Sequence, residues 1–193
     1  LDQFDAARAR DELLQAIAQA PAYAPAYMYL ARAWAMLGYR AKAIAASKQA
    51  AQYAEGLPDE ARLQIEAQQF AIQADHAKTA DTQRKLVALR PLDPDYRLQL
   101  VETLIADAKY DDAMTALAAT RKLAAASGDP RIELAAADIE SARDHLPAVV
   151  PHARLALQQA QRRGETGLVA EAELRLGTAL GQDKLAEPAL RAA

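Results

Sequence analysis

The 193-residue chain contains no cysteine, few aromatic residues and no long apolar run. Without cysteine, neither disulfide bonds nor thiolate chemistry is available to it. No stretch of about 18 apolar residues is present, so the sequence predicts no membrane-spanning helix. Lysine and arginine number 23 against 26 acidic residues, which gives a formal net charge of −3 and leaves no basic stripe. We therefore expect no nucleic-acid binding by this chain.

Glycine and proline are also scarce, at 7 and 9 residues, and runs of alternating β-branched residues are missing. Hydrophobic residues nevertheless make up 52% of the chain, and alanine dominates them. Alanine is the best helix former, and its small side chain lets neighbouring helices approach closely. This composition predicts an all-α protein.

Residues that could carry chemistry are dispersed. None of the three histidines, His76, His145 and His152, has a second histidine at i+3 or i+4, so the spacing predicts no metal site. The serines lack the Gly-x-Ser-x-Gly context of a nucleophile, and the glycines form no phosphate-binding loop. Carboxylates such as Asp111 and Asp112 stand at helix starts. We expect no cofactor and no enzymatic activity; an active site grafted onto the helices is the least supported alternative.

The most regular stretch runs from residue 24 to residue 54. Its first half carries apolar residues at i, i+3, i+4 and i+7, the period of one helix face: Tyr27, Leu30, Ala31 and Trp34. After a break at Gly38, its second half carries small residues on one face: Ala43, Ser47 and Ala50. This pattern predicts two amphipathic helices packed closely against each other.

These positions resemble the tetratricopeptide repeat (TPR), except that Ser47 stands where that family has a large apolar residue. Equivalent positions recur along the chain at intervals of 34, 36, 34 and 36 residues: Ala9, Ala43, Thr79, Ala113 and Val149. The family repeat is 34 residues. The resemblance implies a right-handed α-α superhelix, a solenoid of antiparallel helix pairs.

The resemblance predicts a single array over residues 1–193. Its parts are the second helix of a truncated repeat at 1–21, repeats at 24–56, 57–91, 94–127 and 129–163, and a partial or capping repeat at 165–193. Asp93 and Asp129, each followed by proline, predict helix starts. Pro151 should kink its helix or delay its start, and Gly181 should end the next one. Both chain ends lie within helical pattern, so we expect a segment of a longer protein.

In TPR proteins the first helix of each pair lines the concave side of the array. The positions beside the core stripe on these helices therefore predict a partner-binding groove: Met28, Tyr29, Arg32, Met36, Gln64, Gln68, Gln99 and Glu102. Such a mixed groove suits an extended or helical peptide. Tyr29 and Arg32 are of the types that dominate binding energy. The alternative is that these residues are simply exposed or pack on neighbouring helices.

Three segments, at 57–68, 92–117 and 128–144, resemble TPR regions of bacterial serine/threonine kinases and winged-helix regulators. The resemblance implies a regulatory or sensor segment of a larger signalling protein that binds a protein or peptide partner. The alternative is a homo-oligomerisation module. The expected location is the cytoplasm by default, or outside it if the parent protein is anchored in a membrane.

Overall fold

The structure is a computed structural model that describes the backbone of residues 2–123 and 127–191 and the side chains of residues 5–123 and 127–181. Within these residues all regular secondary structure is α-helical, as the composition predicts. The helices are α1 (Asp2–Gln19), α2 (Ala24–Met36), α3 (Arg40–Gln52), α4 (Asp59–Ile72), α5 (His76–Leu89), α6 (Pro94–Ala106), α7 (Tyr110–Arg121), α8 (Pro130–Ala142), α9 (Leu146–Arg163) and α10 (Thr166–Arg191).

Consecutive helices pack in pairs, and the chain divides into two compact units, Leu1–Arg90 (unit 1) and Pro91–Ala193 (unit 2). In unit 1, α2 pairs with α3 and α4 with α5, while α2 also contacts α1 and α4. In unit 2, α6 pairs with α7 and α8 with α9, while α8 also contacts α6 and α10. Within each unit, therefore, the first helix of one pair lies against the first helix of the next.

The turn inside each pair has one recurring geometry. A single residue adopts the left-handed conformation: Gly38, Ala74, Ala108 and Asp144, with φ of 79°, 59°, 56° and 61°. In the first turn the Tyr39 N–H donates to the Trp34 carbonyl at 2.9 Å, and the Gly38 N–H donates to the Ala35 carbonyl at 3.0 Å. This is the Schellman motif, and the other three turns repeat it.

Aspartate side chains begin three of the helices. Asp75, Asp93 and Asp129 accept hydrogen bonds from the backbone N–H groups of Lys78, Asp95 and Arg131, at 3.1, 2.9 and 3.0 Å. These bonds satisfy donors that have no partner within the helix. The starts predicted at Asp93 and Asp129 are confirmed, each with a proline in the first turn.

The core consists largely of alanine, and buried hydroxyl groups are accommodated within it. Ser47, 2% exposed, donates to the Ile44 carbonyl at 2.9 Å. Thr79 and Thr120 are buried in the same way and donate to carbonyls of the preceding turn, each at 2.8 Å. Because each hydroxyl finds an acceptor one turn earlier, a polar residue at these positions leaves no unsatisfied donor.

One predicted helix boundary is wrong, and one of the two alternatives predicted for Pro151 is excluded. Helix α9 begins at Leu146 and continues through Pro151, so the proline does not delay its start. The N–H that Pro151 lacks would have reached only the carbonyl of Pro147, in the first turn. Helix α10 continues through Gly181 to Arg191. Glycine in a helix interior costs about 1 kcal/mol, which weakens a helix without ending it.

Candidate functional site

Helix α2 presents three side chains in a row on its exposed side. Tyr29 and Met36 are 51% and 50% exposed, and Arg32 between them is exposed as well. They occupy i, i+3 and i+7 of one helix face. The opposite side of the helix carries the buried residues, which pack against α1, α3 and α4.

The row carries two polar groups, the Tyr29 hydroxyl and the Arg32 guanidinium. Neither the Tyr29 hydroxyl nor the Arg32 guanidinium makes a hydrogen bond or ion pair with any residue that the structure describes. Met28, one position before Tyr29, is half-buried and packs against the core cluster that contains Tyr27 and Ile65. The row therefore offers a partner an aromatic ring, a cation and an exposed thioether, next to the core-anchored Met28.

Helix α4 continues this surface. Gln64 and Gln68 lie 36 residues after Met28 and Arg32, and α4 contacts α2 directly. Gln64 is exposed and Gln68 is half-buried. We call the surface formed by the following residues the α2–α4 face: Met28, Tyr29, Arg32, Met36, Gln64 and Gln68.

The corresponding surface of unit 2 is charged. Arg131 of α8 donates to Asp95 of α6 at 2.8 Å and to Asp129 at 2.7 Å. Arg175 of α10 makes a two-pronged contact with Asp138 of α8, at 2.6 and 2.8 Å. We call the surface formed by the following residues the α6–α8–α10 face: Asp95, Gln99, Glu102, Arg131, Asp138 and Arg175.

The ion pair between Arg131 and Asp129 shifts the pKa of both partners. The hydrogen bond to Asp129 raises the pKa of the Arg131 guanidinium, with burial opposing it and the bond to Asp95 adding to it. Burial alone would raise the pKa of Asp129. The side chain and the backbone N–H of Arg131 both donate hydrogen bonds to its carboxylate, and the positive charge of Arg131 adds to their effect. Together they outweigh burial and lower the pKa of Asp129. The ionised pair is therefore the stable form.

The environment of Glu102 raises the pKa of its carboxyl group, whereas that of Asp129 lowers it. Glu102 makes no hydrogen bond to the described residues, and loss of hydration from neighbouring atoms raises its pKa. The charges of Asp138 and Glu171 raise it further, against the opposing effects of Arg131 and Arg175. Loss of hydration is therefore the largest cause of the raised pKa of Glu102, and two acidic and two basic side chains act on it in opposite directions.

The eight residues predicted for the groove fall into two groups. Six lie on the α2–α4 face of unit 1, and Gln99 and Glu102 lie on α6 of unit 2, both exposed. Within each group the spacing of the residues places them on common helix faces. That these residues bind a partner stays a prediction.

Sequence reasoning missed a buried charged cluster in unit 2. Glu133 of α8, 8% exposed, accepts from Arg121 of α7 at 2.9 Å and lies 2.6 Å from His152 Nδ1 of α9. The only signal was a glutamate at a position where the TPR pattern has a bulky apolar residue. Because the partners lie 12 and 19 positions from Glu133, only the fold brings the three together.

In the part of the chain that the structure describes, no group of three or more histidine or acidic side chains is arranged to hold a metal ion. Over the same residues, no helix is long and apolar enough to cross a membrane.

The fold has known counterparts. YrrB, described as a TPR protein with an unusual peptide-binding site, aligns with a TM-score of 0.53 and 14% identity over 88% of this chain and 84% of its own. TTC0263, a thermophilic TPR protein of Thermus thermophilus, aligns with a TM-score of 0.67 and 16% identity over 89% and 88%. No protein-family model and no curated protein sequence matches the chain. At these identities the likeness establishes a TPR-like fold.

Proposed function

We propose that this chain is a non-catalytic scaffold that binds a protein or peptide partner through the α2–α4 face, and that Gln99 and Glu102 of unit 2 also contact a partner. The observation that carries the proposal is the row of Tyr29, Arg32 and Met36, exposed on one helix with its hydroxyl and guanidinium unused in the described structure. Tyrosine and arginine are enriched among residues that dominate binding energy. The peptide-binding site named for YrrB supports the same use of this fold.

We further propose that the scaffold is the regulatory segment of a larger bacterial signalling protein, such as a serine/threonine kinase or a transcriptional regulator. The support is the sequence resemblance of residues 57–68, 92–117 and 128–144 to TPR regions of such proteins. In this role, partner binding would control an attached output domain.

The scaffold function is tested by affinity capture from cell extract. The bait is the wild-type chain, a Tyr29→Ala/Arg32→Ala variant or a matched Lys48→Ala/Gln52→Ala variant on the exposed side of α3. Captured proteins are identified and their affinities are remeasured with purified components. We expect the first variant to bind at least roughly thirtyfold more weakly, since loss of a binding hot spot costs about 2 kcal/mol or more, and the second to bind like the wild type.

Two results would contradict this assignment. Equal affinity of all three chains would place the partner site away from the α2–α4 face. Recovery of the chain alone, with a mass in sedimentation that rises with concentration, would make homo-oligomerisation its function.

A further inference from the structure

A cavity of about 270 Å³ opens between α8, α9 and α10 in unit 2. Its floor is apolar and consists of Ala137, Val149 and Ala179, each at most 3% exposed. An apolar cavity of about 150 Å³ holds a benzene ring, and pockets for drug-sized molecules begin at about 300 Å³. The cavity therefore fits one aliphatic or aromatic side chain.

The wall of this cavity includes an unusually exposed leucine. Leu174 of α10 is 69% exposed, more than every other large hydrophobic residue of unit 2 that the structure describes except Leu92. An apolar side chain that entered the cavity would also cover Leu174. Burial of apolar area contributes about 25 cal/mol per Å², so occupancy of the cavity is favourable.

The cavity adjoins the acidic part of the α6–α8–α10 face. Asp138 and Arg175 line it, and the charges of both act on Glu102. Arg175 is already bonded to Asp138 and lies 3.4 Å from Glu171, while Arg131 is bonded to Asp95 and Asp129. Arg131 and Arg175 therefore each pair with two carboxylates other than that of Glu102. A further cation near Glu102 would be attracted by the surplus negative charge.

We propose that the α6–α8–α10 face binds a peptide segment of a partner protein in which an apolar side chain enters the cavity and a neighbouring lysine or arginine pairs with Glu102. This proposal rests on the proposed scaffold function and deepens it by naming the chemistry of the partner. Apolar burial supplies affinity, and the basic residue supplies specificity because an acidic one in its place would be repelled.

The test is selection of a random peptide library displayed on phage against the immobilised full chain. Enriched peptides are synthesised, and their dissociation constants are measured by fluorescence anisotropy. Two variants remove the recognition elements: Glu102→Lys reverses the charge, and Ser141→Phe fills the cavity from an exposed wall position. Their controls are Glu173→Lys, the same charge change at an exposed position of α10, and Ser141→Ala.

We expect enriched peptides that pair an apolar residue with a basic one, weakened at least about tenfold by Glu102→Lys and by Ser141→Phe but not by the controls. Thr178→Leu on the α10 wall replaces Ser141→Phe if circular dichroism shows that the latter is unfolded. Enriched peptides that are acidic, or that bind both variants like the wild type, would overturn this inference and leave the scaffold function standing. If no peptide is enriched, the inference fails; if the capture experiment also recovers no partner protein, the scaffold function fails with it.

Discussion

The four turns inside the helix pairs share one unusual backbone angle. Gly38, Ala74, Ala108 and Asp144 all take a left-handed conformation at the end of the first helix of a pair. Only the first is glycine, the residue that tolerates this angle at no steric cost. The spacing of these residues, 36, 34 and 36, repeats the interval seen in the sequence. The turns can therefore be matched by position although their residue types differ.

Replacing alanine by glycine at such a turn should stabilise the protein. We expect Ala108→Gly to raise the free energy of unfolding by about 0.5 to 1 kcal/mol, because the left-handed angle is strained for alanine. Urea denaturation followed by circular dichroism measures it. Ala118→Gly, in the exposed middle of α7, is the matched control and should lower stability by a similar amount. Two changes of the same sign would show that the angle at Ala108 carries no strain.

The lowered pKa of Asp129 predicts a loss of stability in acid. A carboxylate whose pKa is lower in the folded state than in the unfolded state stabilises the folded protein. This stabilisation is complete above the unfolded pKa of about 3.9, and it is lost as the pH falls through the folded pKa. We expect Asp129→Asn to lower the free energy of unfolding by about 1 to 2 kcal/mol at pH 7. The difference from the wild type should shrink as the pH falls below the unfolded pKa of about 3.9 and through the lower folded pKa. A difference that is constant with pH would mean that shape, and not charge, holds Asp129.

At the scale of helices, polar contacts of one buried carboxylate connect α7, α8 and α9 in unit 2. The Glu133 carboxylate of α8 is buried, whereas the side chains of its partners Arg121 and His152 are 39% and 30% exposed. Removing an exposed partner leaves a buried charge with fewer hydrogen bonds. Removing the buried group instead lets both partners regain water.

This asymmetry yields a ranking of two variants. We expect His152→Leu to destabilise the protein by about 1 to 3 kcal/mol, and Glu133→Leu to cost less, because leucine restores the bulk that the repeat pattern has there. Chemical denaturation of both variants at one pH gives the order. The reverse order would mean that the cluster contributes net stability greater than the cost of burying it.

The surplus of carboxylates on the α6–α8–α10 face should also be measurable without a ligand. A carboxyl group with a raised pKa in the folded state destabilises that state when it is ionised. We therefore expect Glu102→Gln to raise the free energy of unfolding at pH 7, by less than about 1 kcal/mol because the side chain is exposed to water. This gain in stability should disappear as the pH falls through the raised folded pKa towards the unfolded pKa of about 4.3. A loss of stability at pH 7 would show that Glu102 has a favourable ionic partner.

At the scale of the whole chain, the sequence determined most of the architecture and little of the chemistry. Periodicity and capping, which are local properties, predicted that the chain is all-α and that consecutive helices pair. They also predicted the helix starts at Asp93 and Asp129. The continuation of α10 through Gly181 did not follow from them, because helix ends depend on weak local preferences that packing can override. The cavity beside Leu174 and the cluster around Glu133 could not be predicted, since residues far apart in sequence form them.

The surroundings of Trp34 have a practical consequence for spectroscopy. The ring lies near the guanidinium of Arg10 at 5.5 Å and the ammonium of Lys42 at 4.4 Å, with Tyr39 edge-on at 5.3 Å. It is the single tryptophan of the chain. Its fluorescence emission is therefore an intrinsic optical label for the packing of α1, α2 and α3. In an unfolding experiment it reports on unit 1, while circular dichroism records every helix, so a circular dichroism transition without a matching change in emission would be assigned to unit 2 without adding a dye.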